Sequence, residues 1–465
     1  MATLVMKFGG SLTADTRRIH RVAQVIMAEA LAWDHMIVVI SAMAGATDML
    51  NRAVELAAAR DTGYRALVAK LRQQHIDVIE ALFENEGSRR DLIAYVDRLL
   101  FDVLALCDNV LTHREAAPRD RDSAMSAGER IMVHLLAALV RQEGLEVAPV
   151  DAATLIMTDE RHLNANPLID LIDERVDQVI RPLFDAGIVP LVTGFIGVSR
   201  RGAITTLGRG GSDYTATILA ASLHADEVWM WTSVDGVMSA DPALVPGARV
   251  IPTLSYSEVG ELSYFGAQIL HPRAVEPLLA DGIPLRVRNP FNLDHAGTLI
   301  QTENSQTDTE VKTEVKAVTA VDGIYLSTSG NSVDLSEVLG QVHRIVGRTA
   351  TGPVMVIQSH QHFMLVMVVP TTEGPTAAEN AAQRLTAGLG TEHWEIRVVK
   401  VIAAMGMASQ GSNSELNIGS VQPIASVVGP DNRRLLAVAP ADVQAVVRHL
   451  HKLTDQMAYT PIHRK

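Results

Sequence analysis

The sequence predicts an α/β fold, a mainly parallel sheet sandwiched by helices, followed by two smaller α+β units. Three observations predict it. At 465 residues the chain is too long for one ordinary hydrophobic core. Short apolar runs bounded by turn residues alternate with long amphipathic segments through the first three hundred residues, the pattern of a sheet buried on both faces. Beyond a polar stretch at 301–312 (QTENSQTDTEVK), the order of elements changes to strand, helix, strand, strand.

In chain order, residues 4–6, 36–41, 188–193, 227–232 and 284–287 read as buried strands, being β-branched or apolar between turn residues. Residues 16–33, 126–142, 170–186 and 212–224 read as helices between them, as parallel crossovers require. Residues 48–118 are almost wholly helical in character, with charges on one face and Leu, Ile, Val and Ala on the other. That block reads as an insertion beside the sheet. In the tail, 315–326, 354–358, 363–369, 396–404 and 435–439 read as strands, and 336–346, 377–388 and 441–453 as helices. Two successive βαββαβ units fit, although Gly411, Gly419 and Pro423 fall where the first helix of the second belongs. The domains are then 1–302, 313–390 and 391–465, with the last two open to interleaving.

The chain is 48% hydrophobic and 20% charged, a globular balance. A net charge of −13 argues against nucleic acid as a partner. Cys107 is the only cysteine, which excludes an intrachain disulfide and a cysteine metal cluster and fits a reducing compartment. The N-terminus carries no secretory signal, and no stretch reaches the ~20 apolar residues of a membrane span. A cytoplasmic protein with no membrane partner is expected. Of 40 basic residues only seven are lysine, and just two, Lys7 and Lys70, precede Val311. A chain that so prefers arginine keeps a lysine at position 7.

That lysine ends a strand and is followed by two glycines and a serine, in Leu4-Val-Met-Lys-Phe-Gly-Gly-Ser11. Glycines let backbone N–H groups approach phosphate oxygens, and lysine is a compact point charge for a transferring group. A plain Gly-Gly turn with a surface lysine is the bland alternative. No Gly-Lys dipeptide occurs, so the segment is not a P-loop, and GxGxxG, HExxH and GxSxG are absent too. In Thr205-Thr-Leu-Gly-Arg-Gly-Gly-Ser-Asp-Tyr-Thr215, three glycines surround Arg209, and Ser212-Asp213 opens a helix. Such a segment suits an anion, although Asp213 could simply cap the helix. Ser126-Ala-Gly-Glu-Arg130 reads as a small-residue turn placing Glu129 at the head of a helix, and Ser41-Ala-Met-Ala-Gly-Ala-Thr47 as a loop at a strand's carboxyl end. Each is weak alone. The His360 and His362 pair reads as a hairpin rather than a metal site, and the charged run 119–122 as a solvated turn.

Together and in this order the four segments resemble the amino-acid kinase superfamily, specifically its aspartate kinases. Further matches are Val192-Thr-Gly-Phe-Ile-Gly197, Trp231-Thr-Ser-Val-Asp-Gly-Val-Met-Ser-Ala-Asp-Pro242 and Phe265-Gly-Ala-Gln-Ile-Leu-His-Pro272. The tail resembles the paired ACT domains of that family. The resemblance implies an amino-acid kinase fold followed by two ACT-like units. It implies transfer of the γ-phosphoryl of ATP to the side-chain carboxylate of L-aspartate, at the entry to lysine, threonine and methionine biosynthesis. By the family pattern Lys7 stabilises the migrating phosphoryl, helped by Gly9, Gly10 and Ser11, and Asp213 organises Lys7. Arg209 clamps the α-carboxylate of aspartate, Glu129 pairs with its α-ammonium, and Ser41, Thr47 and Ser212 hydrogen-bond the substrate. ATP lies near Thr232, Ser233, Met238, Asp241 and Gln268, with Mg²⁺ carried on its phosphates. Ser233 stands where aspartate is usual, Gln268 where lysine is, and Ala243 where arginine is common. All three changes remove charge, so altered nucleotide affinity is expected. An amino-acid effector and self-association, as a homodimer or larger, are implied for the tail. Two other readings remain open: a kinase for another small acidic metabolite such as acetylglutamate, and a regulatory subunit of little activity.

Overall fold

In the computed structural model the described residues are 1–267, 269–302, 315–329, 334–347, 353–359, 362–370, 374, 376–390, 393–405, 418, 421–428 and 433–456. The chain forms two compact units. The first comprises residues 1–236, 253–256 and 270–302; the second comprises 237–252, 257–269 and 303–465. The second unit thus takes in two stretches, 237–252 and 257–269, that lie before the boundary at 302.

The first unit opens with β1 (Thr3–Phe8), α1 (Thr16–Glu29) and β2 (His35–Ile40), followed by the helical block α2 (Ala46–Ala58), α3 (Tyr64–Leu82), α4 (Glu86–His113) and α5 (Pro118–Gln142). Then come β3 (Val147–Val150), β4 (Met157–Thr158), α6 (Ile169–Asp185), β5 (Val189–Thr193), β6 (Ile196–Ser199) and β7 (Ile204–Thr206). The unit continues with α7 (Gly211–Ser222), β8 (Glu227–Trp231) and β9 (Thr253–Ser255); α8 (Tyr256–Tyr264) belongs to the second unit from Ser257 on. It closes with α9 (Pro272–Leu279), β10 (Leu285–Arg288) and β11 (Thr298–Gln301).

Eight strands form one sheet in the order β3-β5-β2-β1-β8-β10-β11-β9, parallel except for the β10–β11 pair. β1 lies at its centre, and Leu4, Met6 and Phe8 are fully buried in the core that the helical block shares. Strands covered on both faces need not alternate, which is why the first unit's strands read as continuous apolar runs. β4, β6 and β7 make a separate three-stranded sheet. α5 is long and apolar enough to cross a bilayer by composition, yet 78% of that window is buried inside the protein. It begins eight residues before the expected start: Pro118 occupies its first turn, and Asp120 Oδ2 accepts the Ala117 N–H at 3.0 Å. The expected turn at 126–129 is therefore helix interior, and the charged run 119–122 is the first turn of that helix rather than a solvated loop.

In the second unit, β12 (Ala317–Ser329), α10 (Leu335–Val346), β13 (Pro353–Gln358), β14 (His362–Val368), α11 (Ala377–Leu389), β15 (Glu395–Met405), β16 (Ala425–Val428), β17 (Arg434–Val438) and α12 (Val443–His451) follow in turn. The two expected βαββαβ repeats share one antiparallel sheet, β13-β14-β12-β15-β17-β16, because β12 and β15 pair along residues 317–327. Even-numbered residues of β12 face helices: Ile324 and Leu326 meet α10 and α11, and Val318 meets Val446, Val447 and Leu450 of α12. Beside α12, Ala240 and Val245 pack on Val318, Ile402 and Leu436, so chain from 237–252 covers part of that face. The polar stretch 303–312, His360 and residues 411–417 lie outside the described residues.

Candidate active site

β1, β2, β5 and β8 are parallel and in register: Phe8 stands opposite both Ile40 and Trp231, and Ile40 opposite Thr193. The loops after them leave the sheet at one edge, where open α/β sheets bind ligands. A cavity of about 320 Å³ opens there. Its wall gathers Lys7 from the end of β1 and Gly10 after it, Ser41 after β2 and Thr47 from the start of α2, Glu129 from α5, and Ser212 and Asp213 from α7. These residues are scattered over some two hundred positions of sequence. The Lys7 ammonium lies 2.5 Å from Asp213 Oδ1, with both side chains mostly buried. Gly45 precedes α2 and Gly210 precedes α7 as their N-cap residues, and neither supplies a side-chain cap. Both N-termini therefore present their first-turn N–H groups and positive dipole ends to the cavity.

Other expected residues are placed differently. Gly9 precedes a short 3-10 turn, Gly10–Leu12, at a point where a Cβ would come within 3.3 Å of Lys7 Nζ. Ser11 is exposed outside the cavity wall, its carbonyl accepting from Arg18 at 2.7 Å. Arg209 is exposed between Gly208 and Gly210, which line the cavity, but is not itself in the wall. Thr232 follows β8 at the same sheet edge and donates its N–H to the Arg288 carbonyl at 2.8 Å; Ser233 beside it is exposed. Met238 bridges to Val250, and Asp241 Oδ1 accepts the Ala243 N–H at 2.8 Å, both within the second unit. Gln268 lies outside the described residues.

A family model described as "Amino acid kinase family" matches residues 2–289. The chain belongs to the amino acid kinase family. Among similar proteins, the chloroplastic bifunctional aspartokinase/homoserine dehydrogenase 2 of Arabidopsis thaliana is 30% identical over 86% of this chain and 44% of its own length. Chloroplastic aspartokinase 1 of the same plant is 32% identical over 73% of this chain and 58% of its own length. This amino acid kinase thus spans about half the length of the curated relatives it matches. Among solved structures, E. coli aspartokinase III in complex with aspartate and ADP superposes with a TM-score of 0.76, at 26% identity, over 98% of this chain and 100% of that one. The same enzyme with lysine and aspartate shares the fold at 24% identity and a TM-score of 0.78.

Within this kinase fold the electrostatics of the cavity are uneven. Glu129 sits three turns into α5, not at a helix head, and is 3% exposed. Its Oε2 has no hydrogen-bond partner among the described residues. Burial pushes its carboxyl up to about 8, and backbone hydrogen bonds from Glu129 and Ala42 with the nearby Arg130 charge offset only part of that. Arg130 itself is turned away, its Nε 2.6 Å from Asp151 Oδ2 and its Nη1 3.0 Å from Ser126 Oγ. A buried carboxylate without a cation is costly, so the cavity calls for a ligand that brings one. Phe195, read in the sequence only as part of the Val192–Gly197 match and given no role there, lines the cavity with φ +71. Its N–H bonds Thr215 Oγ1 at 3.0 Å and its carbonyl accepts from Leu207 at 2.9 Å, and these hold the left-handed backbone. Its place inside that match, beside Gly194, was the signal for it.

Proposed function

We propose that the chain transfers the γ-phosphoryl of ATP to the side-chain carboxylate of L-aspartate, giving 4-phospho-L-aspartate and ADP. One observation carries the reading: the buried Glu129 carboxylate, whose Oε2 has no hydrogen-bond partner among the described residues, shares a small cavity with the Lys7–Asp213 pair and two helices capped by glycine. That arrangement complements a small molecule bearing an ammonium and more than one anion. The likeness to aspartokinases supports the choice of aspartate and of an adenine nucleotide.

In this reading Glu129 takes the α-ammonium and Arg209 swings to the α-carboxylate, while Ser41, Thr47 and Ser212 orient the side chain. The acceptor carboxylate is already ionised at neutral pH, so no general base is needed. Lys7, held by Asp213, neutralises charge on the migrating phosphoryl, with backbone N–H groups at Gly9, Gly10 and Ser11 as further donors. Thr232, Ser233, Met238, Asp241 and Gln268 belong to the nucleotide side. Mg²⁺ would enter on the phosphates and add to charge neutralisation; among the described residues no three His, Cys, Asp or Glu side chains converge on a point. An amino-acid effector on the second unit, self-association through it, and a cytoplasmic setting complete the proposal.

The test is ATP-dependent acyl phosphate, trapped as hydroxamate, with aspartate, glutamate and N-acetylglutamate as acceptors. Aspartyl hydroxamate is expected from the wild type and at least about a hundredfold less from Lys7→Ala. No product from aspartate defeats the reading, and full activity in Lys7→Ala defeats the role of Lys7.

A further inference from the structure

The charged run at the start of α5 holds a carboxylate that the mechanism above does not use. Asp122 is fully buried. Its Oδ1 accepts from Thr206 Oγ1 at 2.6 Å, its Oδ2 lies 2.7 Å from His162 Nδ1, and the Leu163 N–H reaches both oxygens at 3.1 Å. These partners lie 84, 40 and 41 residues away in sequence. Leu163, a branched residue at φ +68, is held in the left-handed region by that bond. Burial raises the Asp122 carboxyl above its ordinary range, and the bonds from Thr206, His162 and Leu163 offset this in part.

The segment so anchored abuts the glycine turn that carries Arg209. Ala165 N–H bonds the Thr206 carbonyl at 2.9 Å. A Cβ on Gly208 would lie 2.7 Å from Asn164 Oδ1 and 3.1 Å from the Leu163 carbonyl, so only glycine allows this approach. Arg273 clamps the far side, donating to the Ala165 carbonyl at 3.0 Å, to Asn166 at 3.2 Å and to Asn164, while lying over the Tyr214 ring of α7. On α5, Asp122 and Glu129 are seven residues apart, which puts them on one face, two turns or about 10 Å along the axis. One helix therefore carries both the Glu129 carboxylate of the cavity and the anchor of the glycine turn.

We propose that Asp122 is a positioning residue for acceptor recognition: through residues 162–166 and Thr206 it sets where the Gly208–Gly210 turn and Arg209 stand relative to Glu129. The inference rests on the aspartate reading, since that ligand spans Glu129 and Arg209. Steady-state hydroxamate kinetics on Asp122→Ala, Asp122→Asn and Thr206→Val test it. Asp122→Ala should raise KM for aspartate at least tenfold with KM for ATP within twofold. Asp122→Asn, which still accepts from Leu163 and Thr206, should recover part of the loss, and Thr206→Val should give a smaller rise in the same direction. Should Asp122→Ala fail to fold, the other two carry the test. An unchanged KM for aspartate in folded Asp122→Asn and Thr206→Val overturns the role, as does a rise of equal size in both KM values. A wild type that makes no aspartyl hydroxamate overturns the reaction assignment and the role with it.

Discussion

Glu129 is the residue on which acceptor recognition turns. Its folded pKa, about 8, is above the ordinary 4.5, so the folded ligand-free protein holds this proton more tightly than the unfolded chain does. That contribution to stability is complete below about 4.5 and is lost as pH rises through 8. An incoming ammonium needs the ionised form. Hence kcat/KM for aspartate should rise by up to about tenfold per pH unit below 8 and level off above it, whereas a flat profile from pH 6 to 8.5 would contradict the assignment. Gly194, at the end of β5, makes a steric prediction. A Cβ there would meet Ser212 Oγ at 2.4 Å and Ser212 Cα at 2.9 Å, so Gly194→Ala must displace the first turn of α7. Activity should fall at least about tenfold with little loss of melting temperature, because a misplacement near 1 Å is enough for that. Wild-type kinetics from this variant would show that the turn has slack.

At the scale of elements, the helical block has a pH dependence of its own. His75 in α3 is fully buried; its Nδ1 lies 2.8 Å from the Leu71 carbonyl, and Nε2 has no partner among the described residues. Burial lowers its pKa, outweighing the Leu71 bond. With the folded pKa depressed, the unfolded state binds the proton first, so stability is full above the ordinary 6.5 and falls as pH drops below it. Glu129 acts with the opposite sign over this range, so the test is a difference: in urea unfolding at pH 7.5 and 5.5 the wild type should lose up to about 1.4 kcal/mol per pH unit below 6.5 relative to His75→Leu. The same pH dependence in both proteins would place the titration elsewhere. α5 shows what was legible in the sequence at this scale. Its apolar periodicity was plain from Ser126 on, but its first two turns are charged, and charge alone reads as solvent exposure. Asp122 is buried by partners 40 to 84 residues away, which no local pattern encodes. Pro118 and Asp120 did carry a start signal, in the first-turn proline and the acidic side chain three residues after Ala117.

For the whole molecule, β1, β2, β5, β8 and β10 of the first unit were readable because parallel buried strands leave continuous apolar runs between turn residues, whereas their order in the sheet and the shorter strands were not read. The second unit was less so. Its two repeats fuse into one sheet through β12 and β15, and its core takes Ala240 and Val245 from before residue 253; both are long-range pairings with no mark in local sequence. The site was legible as residue types at known spacings, and Lys7, Ser41, Thr47, Glu129, Ser212 and Asp213 do converge on one cavity. That Glu129 Oε2 has no partner among the described residues was not legible, because it depends on Arg130 turning to Asp151. That Glu129 takes the acceptor's ammonium is the central claim, and acceptor discrimination tests it most directly. Hydroxamate formation should be compared for aspartate and succinate, which lacks only the α-ammonium, in the wild type and in Glu129→Gln. Leaving a buried charge unpaired costs about 3–5 kcal/mol, so above pH 8, where Glu129 is ionised, wild-type kcat/KM should favour aspartate by at least about a hundredfold. In Glu129→Gln the preference should fall below about tenfold. Equal use of succinate by the wild type, or an undiminished preference in Glu129→Gln, would contradict the account.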